Sequence, residues 1–261
     1  MTSVRDVVIN ARRIVVKVGS SSLTSADGGL DPHRVDGIVD TLAARVGAGV
    51  EIVLVSSGAI ATGLPTLGVT KRPRDLATQQ ALASVGQSRL ISRYQHSLER
   101  YNIVAGQVLL TSGDMEVEET RLNAKSAMDK LVSLRVLPIV NENDTVATAE
   151  IRFGDNDRLA ALVAVLVEAD ALVLLSDVDA LYDMPPTKRG AKRIDTVPLG
   201  ADLSDVEVGG SSSTVGTGGA VTKVGAAKLA TESGVSVLLT STDNVSAALE
   251  GQAVGTWFES E

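Results

Sequence analysis

The sequence predicts a soluble α/β protein, a three-layer α/β/α sandwich around a mostly parallel central sheet. Short apolar runs rich in β-branched residues alternate with longer segments of helical periodicity, which is typical of βαβ units with right-handed crossovers. Of the 261 residues, 44% are hydrophobic but only 2% are aromatic. The core therefore depends on Val, Leu, Ile and Ala, the residues that line buried parallel strands.

Six apolar runs are predicted to be strands, at residues 13–19, 51–58, 103–111, 136–143, 171–177 and 235–241. The first helix has a clear start, because Asp31 is a suitable N-cap and Pro32 suits the first helical position; the helical pattern then continues to Gly47. Another helix is expected directly after Gly58. Further helices are predicted by apolar periodicity over residues 75–100, 119–135, 157–169 and 221–233. The acidic run 114–119 is interpreted as a solvated loop and the start of a helix.

The chain is predicted to form a single domain over residues 1–261, with a weak boundary near Asp170 between two lobes, about 1–169 and about 170–261. No linker rich in Pro or Ser separates them. The segment 200–220, rich in Gly, Ser and Thr, is consistent with either a mobile loop or a binding loop.

Composition excludes several functions. There is no Cys, and His33 and His96 are isolated, so thiolate chemistry and a zinc site are not expected. A net charge of −8 disfavours nucleic acid as a partner. No apolar run is long enough to span a membrane and no signal peptide is recognisable, so a cytoplasmic location is predicted.

Polar residues follow the predicted strands at their carboxyl ends, where open α/β sheets bind ligands. These positions are Lys17 to Ser20, Ser56 to Gly58, Asn141 to Asp144, and Ser176 with Asp177. Each turn taken alone fits an ordinary helix cap. Their recurrence at one edge of the sheet predicts a site for anionic groups.

Two lysines and an acid are candidates for phosphoryl chemistry. Lys17 lies on an apolar strand, and Lys223 follows the glycines 216, 218 and 219 at the start of a helix. If both lysines meet one phosphoryl group, an acid between them offsets their repulsion, and Asp157 is the candidate. Asp155, Asn156 and Asp157 also fit a turn with an N-cap. Neither a P-loop nor a dinucleotide fingerprint occurs in the sequence.

Seven segments together resemble the glutamate 5-kinases of the amino-acid kinase family, from about residue 13 to residue 258. They are IVVKVGSSSL (14–23), VLVSSGAIATG (53–63), ALASVGQSRL (81–90), NENDTVATAEIRFGDND (141–157), LLSDVDALY (174–182), TVGTGGAVTK (214–223) and VGTWF (254–258).

The resemblance implies the amino-acid kinase fold, with a substrate lobe followed by a nucleotide lobe. It implies that Lys17, Lys223 and Asp157 are catalytic, with Asp155 near a Mg²⁺ held mainly by the ATP phosphates. Substrate would be bound by Ser57, Gly58, Asn141, Asp144 and Asn156. The nucleotide would be bound by Lys17, Ser176, Asp177, Thr217, Gly218, Gly219, Ala220, Val221, Thr222 and Lys223.

The resemblance further implies phosphorylation of the L-glutamate side chain by ATP, inhibition by proline, and a homo-oligomer, either a dimer or a tetramer. A glutamate carboxylate with a pKa near 4.3 is ionised at neutral pH and needs no general base, which fits a site without a usable His or Cys. Two alternatives stay open: another amino-acid kinase acting on a related carboxylate or on carbamate, and a non-catalytic amino-acid sensor.

The sequence departs from the family pattern at two places. Relatives usually carry a glycine in the segment that matches DVDALY and an Asp-Pro soon after it, whereas this chain has Ala180 and Met184-Pro185-Pro186. Many glutamate 5-kinases also continue into a C-terminal PUA domain, and this chain ends where that domain would begin.

Overall fold

A computed structural model describes residues 4–25, 29–146, 156–203, 206 and 219–260. Its strands are β1 Arg13–Val18, β2 Glu51–Ser56, β3 Val104–Leu110, β4 Val136–Glu142, β5 Ala171–Ser176, β6 Leu181–Tyr182, β7 Arg193–Ile194, β8 Thr196–Val197, β9 Ser236–Ser241 and β10 Thr256–Phe258. Its helices are α1 Val4–Asn10, α2 Ser20–Leu23, α3 Pro32–Gly47, α4 Ala59–Thr66, α5 Leu76–Glu99, α6 Ser112–Glu116, α7 Glu118–Ser133, α8 Asn156–Leu166, α9 Ala220–Glu232 and α10 Val245–Leu249.

The central sheet has eight strands in the described part of the chain, in the order β3-β4-β2-β1-β5-β9-β10-β8. Neighbouring strands are parallel except β9 and β10, which run antiparallel. A separate antiparallel pair, β6 and β7, follows β5 in the chain. The predicted α/β class with a mostly parallel sheet is therefore confirmed. The sheet continues from β1 to β5 across residue 170, and the division into two lobes stays a prediction.

Helices cover both faces of the sheet, because alternate side chains of each buried strand enter different cores. Val15, Val53 and Leu174 pack into one core with residues of α7, α8 and α9. Ile14, Val16 and other residues of the opposite face pack into the second core with α3, α5 and α10. Lys17 is two residues beyond Val15 and so belongs to the face that α8 and α9 cover.

The six predicted strands are confirmed to within two residues at each end. Asp31 caps α3 by accepting hydrogen bonds from the amides of His33 and Arg34, and Pro32 occupies the first helical position, as predicted. The helix predicted over residues 157–169 ends earlier, at Leu166. Glu168 has a φ of 53°, which the helix cannot accommodate. The apolar pattern extends further because Val167 and Ala169 remain buried after the helix has ended.

Four short helices and four short strands were not predicted, namely α1, α2, α6, α10, β6, β7, β8 and β10. The acidic run, expected to begin as a loop, contains α6. Its start is closed by a capping box in which Thr111 and Asp114 exchange side-chain to backbone hydrogen bonds. Among the described residues, no helix combines the length and the apolar character needed to cross a bilayer.

Candidate active site

The candidate site lies at the carboxyl edge of the sheet. β4, β2, β1 and β5 are adjacent and parallel, so their ends meet at one edge. Lys17, Ser57, Asn141 and Ser176 are each at or next to the end of one of these strands. The sequence therefore places four chemically different side chains next to one another without any of them being close in the chain.

Asp157 joins the two lysines. Lys17 Nζ lies 2.5 Å from one carboxylate oxygen of Asp157, and Lys223 Nζ lies 3.1 Å from the other. All three side chains are buried, with 4%, 7% and 1% of Lys17, Lys223 and Asp157 exposed. The lysines come from β1 and α9, and the carboxylate from the first turn of α8. Asp157 is thus inside the first turn of α8 and paired with both lysines, while Asp155, at the position before the helix, lies outside the described residues.

Two lysines act on one buried carboxylate in this cluster. Burial raises the pKa of Asp157, but the attraction of Lys17 and Lys223 outweighs it and lowers that pKa to about 2. Thr222 also donates its hydroxyl hydrogen toward the same carboxylate oxygen as Lys223, at 2.9 Å. One ionised carboxylate is therefore shared by two ammonium groups, an arrangement that suits an anion bound beside the lysines.

The start of α9 adds donors on the same side. Gly219 precedes the helix in an extended conformation, and as a glycine it has no side chain with which to cap the amides of the first turn. The amino end of a 13-residue helix favours negative charge through its dipole and its unpaired amides. Because Lys223 is in this first turn, its ammonium group and the helix end act on the same region.

The turn after β2 is held tightly. Gly58 has a φ of 106°, a conformation that side chains disfavour, and it precedes α4 as predicted. The amide of Ser57 donates to the carbonyl of Val18 and is therefore not available to an anion, contrary to the expectation for this turn. Close contact between α4 and α5 fixes the helix, since a Cβ on Gly86 would lie 1.8 Å from the carbonyl oxygen of Ala59.

Amide side chains form a chain of hydrogen bonds beside the lysines. Asn156 Nδ2 donates to Ser57 Oγ at 2.9 Å and to Asn141 Oδ1 at 3.2 Å, and Asn141 Nδ2 donates to Gln87 Oε1 at 2.6 Å. The buried Oδ1 of Asn156 has no hydrogen-bond partner among the described residues. Gln87 was not predicted as a site residue, although it lies in the segment ALASVGQSRL.

Asp144 follows the same strand, and its pKa is shifted by burial and by a charged residue of another loop. Burial raises the pKa of Asp144 to about 6, while the nearby positive charge of Arg72 lowers it. Arg72 lies in the loop between α4 and α5, and its own pKa is lowered by burial. Nothing in the sequence distinguishes Arg72 from its neighbours, because it is one of four charged residues between positions 71 and 75.

Hydroxyl groups join the ends of β1, β5 and β9. Thr242 donates toward Ser22 Oγ at 2.6 Å and toward the carbonyl of Ser176 at 3.4 Å, and Ser176 donates to Asp177 at 3.1 Å. Ser176 and Asp177 are therefore at the sheet edge, as predicted. Thr242 was missed, though its position directly after β9 is the same signal that identified the other residues.

Three predicted site residues, Asp155, Thr217 and Gly218, lie outside the described residues. Gly219, Ala220 and Val221 are at the start of α9, as expected from the sequence. Within the described ranges, no group of three or more His, Cys, Asp and Glu residues is arranged to hold a metal ion. The roles of all the predicted site residues remain predictions.

The fold and the family are shown by comparison with known proteins. A sequence profile described as the Amino acid kinase family matches residues 12–241, and the chain belongs to this family. The solved structure of carbamate kinase from Giardia lamblia bound to AMP-PNP is similar, with a TM-score of 0.68 at 17% identity over 96% of this chain and 99% of that one. UMP kinase from Bacillus anthracis has a TM-score of 0.63 at 14% identity, over 96% and 97%.

Within the family, the chain is a member of the glutamate 5-kinase group. It is 62% identical over 257 residues to a glutamate 5-kinase from Clavibacter sepedonicus, covering 98% of each chain. It is also 62% identical to one from Leifsonia xyli, covering 97% of this chain and 93% of the relative. A glutamate 5-kinase from Streptomyces coelicolor is 58% identical over 99% of this chain, which spans 69% of that longer relative.

Proposed function

We infer that this chain transfers the terminal phosphoryl group of ATP to the side-chain carboxylate of L-glutamate, forming γ-glutamyl phosphate in the first step of proline biosynthesis. The observation that carries this inference is the buried cluster of Lys17, Asp157 and Lys223 in a chain 62% identical to glutamate 5-kinases. A phosphoryl acceptor and a phosphoryl donor are both anions, and the two lysines supply positive charge that brings them together.

The residues of the chain contribute positioning and charge rather than proton transfer. A glutamate carboxylate has a reference pKa of about 4.3, so it is already a nucleophile at neutral pH. Lys17 and Lys223 neutralise the charge that spreads over the transferred phosphoryl oxygens. Asp157 keeps the two ammonium groups apart at a fixed separation, and Thr222 orients Asp157. Stabilisation by groups already in place requires no rearrangement during the reaction.

The amide chain beside the cluster suits an amino-acid substrate. Asn141, Asn156 and Ser57 offer neutral donors and acceptors, and the buried Oδ1 of Asn156 has unused acceptor capacity among the described residues. Asp144 follows the end of β4 by two residues, and its carboxylate is the proposed partner of the substrate ammonium group. Gly58 completes the proposed set through its backbone. The reactive carboxylate then faces Lys17 and Lys223.

The proposed nucleotide site combines the start of α9 with the hydroxyl groups at the ends of β5 and β9. Gly219 to Lys223 meet the phosphates, and Ser176 and Asp177 lie toward the nucleoside, with Thr217 and Gly218 as further proposed contacts. Because Asp157 is already paired with two lysines, Mg²⁺ is proposed to be held mainly by the ATP phosphates, with Asp155 nearby. Bound in this way, Mg²⁺ would neutralise phosphate charge, and it needs few protein ligands.

The test is an acyl-phosphate assay with hydroxylamine as the trap. The protein is incubated with ATP and Mg²⁺ and with one of L-glutamate, L-aspartate, N-acetyl-L-glutamate or carbamate, and the hydroxamate or ADP is measured. We expect a signal with L-glutamate that depends on ATP and Mg²⁺. A signal only with another substrate would make the chain a different amino-acid kinase, and binding of L-glutamate without turnover would make it a sensor.

The proposal also includes inhibition by proline, a dimer or tetramer, a substrate lobe before residue 170 and a nucleotide lobe after it, and a cytoplasmic location. Proline resembles glutamate in its α-ammonium and α-carboxylate groups, so it is expected to compete near Asp144. Activity assays with and without proline test the inhibition, and light scattering tests the oligomeric state. A monomer whose activity is indifferent to proline would contradict both.

A further inference from the structure

The amide chain beside the lysines has a direction that backbone groups fix. The amide N–H of Glu142 donates to Asn141 Oδ1 at 2.9 Å, and because a backbone N–H is always a donor, the oxygen of Asn141 must lie on that side. The nitrogen of Asn141 therefore points the other way and needs an acceptor. It donates to Gln87 Oε1 at 2.6 Å, so Gln87 is the acceptor end of this part of the chain.

The direction of the Asn156 amide is fixed in the same way. Its Nδ2 lies 3.4 Å from the carbonyl oxygen of Ser56, which can only accept, and also 2.9 Å from Ser57 Oγ and 3.2 Å from Asn141 Oδ1. A reversed amide would set the oxygen of Asn156 against two other oxygens with no hydrogen between them. Asn156 Oδ1 therefore points away from Asn141, and it is buried with no hydrogen-bond partner among the described residues.

The position of Gln87 is set by the packing of α5. The preceding residue, Gly86, lies so close to α4 that a Cβ there would be 1.8 Å from the carbonyl oxygen of Ala59. This backbone contact leaves little freedom between the two helices, so Gln87 reaches Asn141 from a fixed base. Because only 1% of Asn141 is exposed, water does not compete with Gln87 for its amide nitrogen.

The oxygen of Asn156 matches one group of the substrate only. A buried acceptor that no described residue satisfies is costly, so a ligand that supplies a hydrogen there gains affinity. At neutral pH both carboxylates of glutamate are ionised and can only accept, which leaves the ammonium group as the donor. The ammonium group has three hydrogens, and it can therefore bind Asn156 Oδ1 and the proposed partner Asp144 together.

We propose that Gln87 is a positioning residue, which accepts from Asn141 and thereby fixes the amide chain so that Asn156 Oδ1 accepts a hydrogen bond from the substrate ammonium group. This inference rests on the proposed function and adds a residue to it. Gln87 acts through Asn141 and Asn156 and needs no contact with the substrate. Without an acceptor at Gln87, the Asn141 amide is free to turn, and Asn156 then loses one of the three oxygens around its nitrogen.

The test measures binding in variants that keep or remove the acceptor. Gln87→Met removes it at similar side-chain length, and Gln87→Glu keeps an oxygen toward Asn141. Gln95→Met is the matched control, because Gln95 is a partly buried glutamine of the same helix whose Oε1 accepts from the amide of Ala105, near the start of β3 and outside the site. The dissociation constant of L-glutamate is obtained from the concentration dependence of thermal stabilisation, with AMP-PNP and Mg²⁺ present.

We expect Gln87→Met to raise the dissociation constant of L-glutamate by about 3- to 10-fold, the scale for losing one hydrogen bond. Gln87→Glu should lie closer to the unchanged protein. Gln95→Met should bind L-glutamate as the unchanged protein does, even if it melts at a lower temperature. An unchanged dissociation constant in Gln87→Met would overturn the inference. Equal weakening in the Met and Glu variants would also overturn it, because the acceptor would then not matter.

A double-mutant cycle separates an effect through Asn156 from a packing effect. Asn156→Ala removes Oδ1, so adding Gln87→Met to it should weaken L-glutamate by less than about twofold more. Glutarate, which lacks the ammonium group, should bind equally to the unchanged protein and to Gln87→Met. Additive effects in the cycle, or equal weakening of L-glutamate and glutarate, would contradict the proposed role. The cycle decides the matter even where glutarate binds too weakly to measure.

Failure of this inference is distinct from failure of the proposed function. Phosphorylation is decided by the acyl-phosphate assay on the unchanged protein, whereas the role of Gln87 is tested by binding alone. If L-glutamate binds but is not phosphorylated, the proposed function fails, and the variants of Gln87 still decide whether it positions the amide chain. If L-glutamate does not bind at all, both proposals fail together.

Discussion

A buried cation lies near each end of β1, and we assign the two cations different roles, one in stability and one in the proposed site. Arg13 begins the strand and Lys17 lies near its other end, four residues and about 13 Å further along. Both side chains belong to the face that α7, α8 and α9 cover. Each is buried among carboxylates, yet only one end contains the proposed site, so burial of a charge does not by itself identify function.

The Arg13 end has at least one carboxylate for each cation. Arg13 pairs with Glu51 at 2.7 Å and with Asp129 at 2.9 Å, and Lys125 pairs with Asp129 at 3.2 Å and with Glu168 at 3.4 Å. The guanidinium also donates to the carbonyl of Val167. Two positive charges therefore face three negative ones, of which Glu168 is largely exposed to solvent. This cluster ties β1 to β2, to α7 and to the chain after α8, and its cations are neutralised within the protein.

The arrangement at the Lys17 end is different, since Lys17 and Lys223 both pair with the same carboxylate, that of Asp157. Loss of one member of a buried ion cluster leaves a charge that a ligand or another residue must neutralise. The comparison therefore contrasts a cluster in which carboxylates outnumber cations with one in which two lysines share a carboxylate. The predictions that follow test this difference, beginning with the largest expected effect.

The first prediction concerns Lys223, at the Lys17 end of β1. Lys223→Met should lower turnover at saturating substrates by about 10²- to 10³-fold, the scale for loss of one preorganised charge-stabilising group. The melting temperature without nucleotide should not fall, because the remaining Lys17 and Asp157 form a matched pair. Turnover is measured by ADP release and stability by thermal unfolding. A stable variant with full turnover would remove Lys223 from the reaction.

The second prediction concerns Arg13, at the start of β1. Arg13→Met should lower the free energy of unfolding by about 2 to 3 kcal/mol, because Glu51, Asp129 and the carbonyl of Val167 each lose a charged donor. Turnover per folded molecule should change little. Urea denaturation measures the effect, with Arg12→Met, at an exposed neighbour, as the control. A selective loss of turnover without loss of stability would reverse the assignment of the two ends.

The third prediction concerns pH. Burial raises the pKa of Asp144 to about 6 despite the opposing effect of Arg72, and only the ionised carboxylate binds an ammonium group. Glutamate binding should be complete above pH about 7 and lost as the pH falls through 6, with the KM rising about tenfold per pH unit below that value.

The control for this prediction is Asp144→Asn. Its KM for glutamate should be high throughout and should not follow the same pH dependence between pH 5 and 7. If the unchanged protein and Asp144→Asn gave parallel profiles, the titrating group would be elsewhere.

The fourth and smallest effect is expected at Thr222, whose hydroxyl donates toward Asp157 and toward the carbonyl of Gly219. Thr222→Val removes one neutral donor of similar shape, so turnover should fall about 3- to 10-fold, with Thr222→Ser close to the unchanged protein. Turnover is measured by ADP release at saturating ATP and glutamate. Equal losses in the Val and Ser variants would indicate a packing effect rather than a hydrogen bond.

Sequence reasoning identified Lys17, Asn141 and Ser176 because of one rule, that parallel strands end at the same edge of a sheet, whereas Lys223 came from the glycines before a helix and Asp157 from the need for an acid between two lysines. That rule depends only on strand positions, which the apolar runs reveal. Gln87 was missed because its contact with Asn141 depends on how α5 packs beside β4, and a single sequence does not encode that packing in a readable form. Thr242 follows β9 and was within reach of the rule.

The boundaries of elements were predictable where capping chemistry agreed with periodicity, as at Asp31 and Pro32. The predicted boundaries were wrong where capping chemistry and apolar periodicity disagreed. Val167 and Ala169 continue the apolar pattern of α8 because they are buried, although the backbone has already turned at Glu168. The strands β8 and β10 have two and three residues, which is too short for periodicity to detect.

The central claim is that one carboxylate holds two lysines in position for phosphoryl transfer. The most direct test is the turnover of Asp157→Asn at saturating ATP, Mg²⁺ and L-glutamate, on protein whose circular dichroism matches that of the unchanged chain. We expect turnover to fall at least about 10²-fold, because the lysines repel each other and lose their alignment. A folded Asp157→Asn protein that turns over at the rate of the unchanged chain would contradict this account.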